Sequence, residues 1–366
     1  KWFIIMNITG IYSGGLTFYD VLLVPKVTDI ISRLDPDISS SVAGCDLSVP
    51  IISSPMDTVT ESSMAISIGK SGGMGIIHRF MSIEDHISQI SDVLSYKHRN
   101  DYDEEIPVVL TVGNGSDAIS RLKRIWEEFG TGIDCVLIDV ANGYSSSTRD
   151  MIDRVKNFTN NEARVIAGNV ADGDGYSYLA DSGADAVRVG IGGGSICKTK
   201  IMTGFGLPTL TSVASCQIAR LSNPNYNNVS IIADGGIRYP GDFVKSIAAG
   251  ADAVMAGGIF AGTNETPGDI VTTNGIRKKA YYGMASKELQ DKKRGGIKRG
   301  TCSEGVSTMV ILKGPSSDVM EEFSGGLRSA MTYAGSMDIS SLRENADFIK
   351  ITSAGLSEAH AYGTRK

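Results

Sequence analysis

The sequence predicts a parallel α/β fold, specifically a closed (β/α)8 barrel. Three observations carry that reading. Eight short apolar runs, many of them β-branched, recur along the chain. Segments with helical apolar spacing lie between them, the alternation that builds parallel sheets from βα units. Most runs end at small or polar residues, which is where such a barrel places its chemistry. A doubly wound open sheet is the second choice, because periodicity alone does not show closure.

The first run is Val49 to Ser53, followed by Met56-Asp57-Thr58, and the second is Gly75 to His78. Val108 to Val112 is the third, and Cys135 to Val140 the fourth, with Asp139 near its end. The fifth, Arg164 to Ala167, leads into Gly168-Asn169, and the sixth, Ala186 to Val189, into a glycine-rich loop. Ser230 to Ala233 precedes Asp234-Gly235-Gly236, and Ala253 to Ala256 precedes Gly257-Gly258. Loops after the last two strands of such barrels commonly hold phosphate, and paired glycines let backbone N–H groups reach its oxygens. Helical spacing marks Ser116 to Phe129, Ser146 to Phe158, Tyr176 to Ser182 and Gly241 to Ala249.

A chain of 366 residues fits one large barrel, so residues 7–366 read as a single catalytic domain. Residues 1–6 read as an N-terminal extension. Lys1 to Ile5 are too few for a signal peptide, and no apolar run reaches a membrane span. The formal charge of −6 gives no general attraction to nucleic acid or an anionic membrane. The five cysteines are scattered and form no CxxC pair, which argues against a zinc site or disulfide framework and for a reducing cytoplasm. Cys45, Cys135 and Cys216 read as buried core residues. His78, His86, His98 and His360 lack metal-ligand spacing.

The loop Gly192-Gly193-Gly194-Ser195-Ile196-Cys197-Lys198-Thr199-Lys200 is the most informative stretch. Successive glycines let a ligand approach the backbone, and Ser195 offers an anion a hydroxyl. Cys197 is a candidate nucleophile, with two lysines close behind to favour a thiolate. Phosphate-holding groups beside an activated sulfur point to covalent catalysis on a phosphorylated substrate. The plain alternative is a buried structural cysteine.

Several co-linear segments resemble the inosine-monophosphate dehydrogenase/guanosine-monophosphate reductase family. They are Leu16 to Pro25 (LTFYDVLLVP), Ser54 to Glu61 (SPMDTVTE), Gly190 to Thr199 (GIGGGSICKT) and Ala233 to Gly241 (ADGGIRYPG). Ala256 to Gly262 (AGGIFAG), Tyr282 to Ser286 (YGMAS) and Gly325 to Thr332 (GGLRSAMT) extend the match to about Leu16–His360. The resemblance implies a purine 5′-nucleotide at the strand C-termini, Cys197 attacking purine C2, a nicotinamide cofactor and a cytoplasmic homotetramer. It implies Thr199 and Glu304 as proton-handling partners of Cys197. Ser195, Gly236, Gly257, Gly258 and Tyr281 would hold the phosphate, and Asp234 the ribose hydroxyls. Met284 and Ala285 would lie against the base, with Ser303 and Gly305 in the flap beside the substrate. Asp139, Asn169 and Gly190 fall on the nicotinamide side. Gly192, Gly194 and Cys197 would supply carbonyls to a monovalent cation, K+. Asp57 reads as structural.

Dehydrogenases oxidise IMP with NAD and hydrolyse the adduct; reductases expel ammonia from GMP using NADPH. Only about 30 residues separate His78 from Val108, where dehydrogenases usually insert a pair of cystathionine-β-synthase-type modules. The flap between Met284 and Gly314 has no Arg-Tyr pair, which dehydrogenases use to activate water. Arg238-Tyr239 lies in the strand-seven loop and reads as a decoy. Leu137 to Ser145, Thr203 to Gly206 and Gly257-Gly258 are closer to reductases, whereas Met56 to Glu61 and Phe348 to His360 are closer to dehydrogenases. The flap decides for a GMP reductase using NADPH. The alternative is an IMP dehydrogenase lacking the inserted modules and using NAD. A flavin-dependent barrel oxidoreductase and a non-catalytic nucleotide scaffold are more distant rivals. Three positions depart from the family pattern: Gly193 replaces a usual proline, Arg79 a lysine, and Thr301 an arginine.

Overall fold

The structure, a computed structural model, describes residues 14–99, 106–283, 286 and 302–359. Its centre is an eight-stranded parallel sheet of β4 (Ile51–Ser53), β5 (Met74–Gly75), β6 (Val109–Val112), β7 (Cys135–Asp139), β8 (Arg164–Val170), β9 (Ala186–Val189), β10 (Ser230–Asp234) and β11 (Ala253–Ala256). The spatial order is β5-β4-β11-β10-β9-β8-β7-β6, so β4 joins β11 and the sheet curls round on itself. At the remaining seam the Thr111 hydroxyl donates to the Ile77 carbonyl at 2.6 Å. This is the (β/α)8 barrel expected from the sequence.

Alternation along the strands divides the apolar residues between two cores. Ile52, Met74, Val109, Leu137, Ile166, Ile232 and Met255 fill the barrel interior, while Ile51, Leu110, Val136, Val165, Val187 and Val254 face the helices. The helices answer with apolar stripes of period 3.6. Helix Ala118–Phe129 buries Ala118, Leu122 and Ile125. Helix Ser146–Phe158 buries Met151, Ile152 and Val155, and its N-cap Ser145 accepts from the Thr148 N–H at 3.3 Å.

The N-terminal mouth is plugged by an antiparallel hairpin, β2 (Ser40–Val42) and β3 (Cys45–Leu47). Val42, Ala43 and Leu47 join the interior core, and the Ala43 N–H donates to Ser230 at the first residue of β10. Near the chain ends, β1 (Val21–Leu23) pairs antiparallel with β15 (Phe348–Lys350).

A three-stranded antiparallel sheet, β12 (Val271–Thr273), β13 (Ile276–Tyr282) and β14 (Ser307–Ile311), follows the last barrel strand. Asn274 and Gly275, both with positive φ, make the two-residue turn between β12 and β13. Pairing of Tyr281 with Thr308 and Tyr282 with Ser307 puts the base of the flap at the end of this ribbon. Among the described residues no helix is long and apolar enough to cross a membrane.

Candidate active site

A cavity of about 890 Å³ opens at the C-terminal face of the barrel. The cysteine loop and the loops after β10 and β11 build one wall. Gly193 packs on Gly235, where a Cβ would meet the Gly193 carbonyl carbon at 2.9 Å. Ser195 and Tyr281 close over the second glycine pair: a Cβ on Gly257 would meet the Tyr281 hydroxyl at 3.3 Å, and one on Gly258 the Ser195 Oγ at 3.2 Å. Burial pushes the Tyr281 hydroxyl pKa up against the opposing effect of its hydrogen bond with Ser195, so it stays protonated and able to donate. Ser195, Gly236, Gly257, Gly258 and Tyr281 thus line one part of the cavity, with two hydroxyls beside the glycine pairs.

Cys197 is exposed at the cavity wall, and its Sγ lies 3.1 Å from the Thr199 Oγ1. That hydroxyl donates to the Glu304 Oε2 at 2.7 Å. The flap base is tied to the loop through its backbone as well. Lys198 donates to the Glu304 carbonyl at 2.6 Å, Val306 to the Ile196 carbonyl at 3.0 Å, and Cys197 and Gly305 form a bridge. A sulfur, a hydroxyl and a carboxylate are thereby aligned by a two-point backbone clamp. Of the two lysines, Lys200 folds over Gly192, where a Cβ would meet its side chain at 2.7 Å. Burial lowers the Lys200 pKa, opposed by the Cys197 charge.

A charged ladder crosses the floor. Arg188, buried in β9, donates to the Asp139 Oδ1 at 2.6 Å and to the Asp234 Oδ2 at 2.8 Å. Burial opposes its charge, yet Asp234 and Asp139 outweigh it and hold the guanidinium pKa above its ordinary value. The Asn169 amide nitrogen donates to the Asp234 Oδ2 and the Gly190 carbonyl, both at 2.7 Å. Gly190 has a structural role too: at φ 136° a Cβ would meet the Asp234 carbonyl oxygen at 2.2 Å. Arg79 adds a second cation, its NH2 group donating to the Asp139 carbonyl at 3.2 Å and its guanidinium lying 4.6 Å from the Phe80 ring centre.

Arg188 escaped the sequence reading because an arginine inside a short apolar strand looks like noise. The signal was its position, facing two strand-end aspartates across a barrel. With Arg188→Met, both carboxylates lose their shared cation. Stability to denaturant should fall by about 3–5 kcal/mol, the cost of breaking a buried ion pair from one side. Adding Asp139→Asn and Asp234→Asn should recover much of that loss; no recovery would assign the damage to packing instead.

The structure gathers Cys197, Thr199, Glu304, Ser195, Asp234, Gly236, Gly257, Gly258, Tyr281, Gly305, Asp139, Asn169, Gly190, Gly192 and Gly194 around the cavity. Ser303 does not line it; its hydroxyl turns back to the Gly305 carbonyl at 3.1 Å. Met284, Ala285 and Thr301 lie outside the described residues. Asp57 is buried and accepts from the Tyr282 hydroxyl at 3.1 Å, a packing role. Of the Arg238-Tyr239 pair, Arg238 lines the cavity and stacks at 3.8 Å on the Tyr19 ring, while Tyr239 is exposed and does not. The Gly194 carbonyl, one of the expected cation donors, accepts from the Cys197 N–H at 3.1 Å.

A parallel barrel whose C-terminal mouth gathers an exposed cysteine and paired-glycine loops around one cavity is the frame of a barrel enzyme. Residues 15–362 match the IMP dehydrogenase / GMP reductase domain model, and the chain belongs to that family. Among its relatives is the inosine-5′-monophosphate dehydrogenase of Borreliella burgdorferi, 36% identical over 95% of this chain and 96% of the relative. That of Cryptosporidium parvum is 34% identical over 95% of each. Among solved structures, a cysteine-to-alanine variant of GMP reductase from Trypanosoma brucei in complex with guanosine 5′-monophosphate superposes with a TM-score of 0.86. It is 26% identical and covers 96% of this chain and 98% of its own. The chain is therefore an oxidoreductase of purine nucleotide metabolism.

Proposed function

We propose that the chain is a GMP reductase, converting GMP and NADPH to IMP, NADP+ and ammonia. The observation that carries this is the Cys197–Thr199–Glu304 chain of contacts, at 3.1 and 2.7 Å. Expelling ammonia needs a proton delivered to the leaving nitrogen, and a carboxyl acting through a hydroxyl beside the sulfur can deliver it. The flap sequence adds support, since no Arg-Tyr pair stands between Met284 and Gly314 to activate a hydrolytic water.

In this reading the Cys197 sulfur bonds to purine C2 as the exocyclic amine leaves, protonated from Glu304 by way of Thr199. A nicotinamide cofactor held on the side of Asp139, Asn169 and Gly190 would supply hydride chemistry at C2; Cys197 is the leaving thiolate when the C–S bond breaks. The residues present fit such a group. The cavity is large enough for a nucleotide and a second planar ring, and the Asn169 Oδ1 is an acceptor suited to a carboxamide N–H. Ser195, Tyr281 and the glycine pairs fix the phosphate, and Asp234 orients the ribose. The Gly192, Gly194 and Cys197 carbonyls are the proposed K+ ligands. A cytoplasmic homotetramer completes the proposal; Val27, Ile31 and Leu34, 94, 98 and 80% exposed, supply apolar surface for self-association.

IMP dehydrogenase with NAD is the second reading, favoured by the names of the relatives at 34–36% identity. Purified protein given GMP with NADPH should consume the reduced cofactor and release IMP and ammonia in equal amounts. Sustained conversion of IMP and NAD to XMP, stimulated by K+, would reverse the assignment. Flap residues Arg294 and Arg299, outside the described region, would then be the first candidate bases to mutate.

A further inference from the structure

At the barrel mouth opposite the active site, Cys45 and Cys135 bring their sulfurs to 3.6 Å although 90 residues separate them in sequence. Cys45 opens β3 in the plug hairpin, and Cys135 opens β7 in the barrel wall. The two thiols differ in access. Cys45 is half-buried and borders a cavity of about 220 Å³ lined also by Gly44, Asp46, Asp134, Glu162 and Arg164. Cys135 is fully buried behind it and directs its sulfur toward Cys45 and, at 3.9 Å, the Ala43 carbonyl. Its hydrogen bond with Cys45 and its burial push the Cys135 thiol pKa well up, so the sulfur that meets an oxidant first is Cys45.

We propose that Cys45 and Cys135 are a redox-active dithiol that closes to a disulfide under mild peroxide, joining the plug hairpin to the barrel wall. An open sulfur with a buried partner in van der Waals reach is the arrangement of an attacked and a resolving thiol. Hydrogen peroxide transfers one oxygen to the Cys45 sulfur, giving a sulfenic acid and one water. The Cys135 sulfur then displaces the hydroxyl, which leaves as a second water with the Cys135 proton. Two thiols lose two electrons and two protons, and one peroxide becomes two waters. The shift needed is small, since bonded sulfurs lie about 2.05 Å apart. The other cysteines are placed differently. Cys197 stands at the far mouth against Thr199, Cys216 is buried against the Asp172 carbonyl, and Cys302 is exposed at the flap base.

The test uses the full chain with Cys197→Ser and Cys302→Ser, which leaves three cysteines and no catalytic thiol to confuse the count. After brief peroxide and a catalase quench, thiols are alkylated in denaturant and the digest is read by mass spectrometry. Alkylatable thiols should fall from three to one, with a Cys45–Cys135 peptide pair two hydrogens lighter than its parts, and dithiothreitol should restore three. The oxidised protein should unfold roughly 5 °C higher, because the link closes a long loop in the unfolded chain. Cys45→Ser should abolish both effects. Should that variant not fold, the linked peptide in its parent remains decisive. Three thiols surviving peroxide, Cys45 accumulating as sulfinic acid beside an alkylatable Cys135, or links found only between molecules would each overturn the proposal.

Discussion

Replacing Cys197 with serine should reduce kcat on the order of 10³-fold or more while nucleotide affinity changes by no more than a few-fold. The site explains the asymmetry. In the proposed function phosphate and ribose are met by Ser195, Tyr281, Asp234 and the glycine pairs, which line the cavity independently of the sulfur. The sulfur faces the cavity with Thr199 at 3.1 Å, where only the reacting atom needs it. A serine hydroxyl there is far less ionised than a thiol at neutral pH. Steady-state kinetics alongside calorimetric nucleotide binding would separate the two effects. A nucleotide with an electrophilic C2 substituent should label Cys197 and spare Cys302. Near-normal turnover in Cys197→Ser would remove the covalent mechanism, and preferential labelling of Cys302 would show that the nucleophile is the other thiol.

The barrel was legible because its strands are buried on both faces and so read as continuous apolar runs. Ala186 to Val189 and Ala253 to Ala256 fall at the same residues in sequence and structure. Other ends moved. β5 covers only Met74–Gly75, although the apolar run continues to His78, and β8 continues to Val170 beyond the Gly168-Asn169 turn expected to end it. A register shift against β9 between Gly168 and Val170 accommodates that extension. Apolarity marks burial, whereas strand ends are set by hydrogen-bond partners that lie far away in sequence.

The flap ribbon was missed for the opposite reason. Val271–Thr273 is exposed throughout, so no hydrophobic alternation announces a strand. A signal was nonetheless present: Asn274-Gly275 between β-branched residues is the strongest short-range mark of a two-residue hairpin. Strand-end position and family motif pointed to residues that the fold brings to one cavity. The link from Asp139 through Arg188 to Asp234 was not legible, because it joins three strands through one side chain. The Cys45–Cys135 contact was equally invisible, since spacing cannot show which end of a barrel a cysteine occupies.

Glu304→Gln should slow ammonia release by about 10²–10⁴-fold, the usual worth of a positioned general acid, and leave GMP binding intact. Glutamine keeps the length of the side chain and can still accept from the Thr199 hydroxyl, as Glu304 does at 2.7 Å. What it lacks is a proton to pass on. If carboxyl and hydroxyl act as one relay, Thr199→Val should cost a comparable factor, and the double variant should be little worse than either single change. Quenched-flow measurement of ammonia release from GMP reads that step directly. Multiplicative losses in the double variant would mean that Thr199 and Glu304 act separately. Full activity in Glu304→Gln would leave the backbone clamp of Glu304 on Lys198 as its whole contribution, and the proton for the departing amine would have to come from elsewhere in the cavity. Arg79 is a poor source, because a guanidinium does not give up its proton at neutral pH. Glu304 is the carboxyl group in hydrogen-bond contact with the hydroxyl beside the sulfur, which makes it the first proton source to test in the proposed reaction.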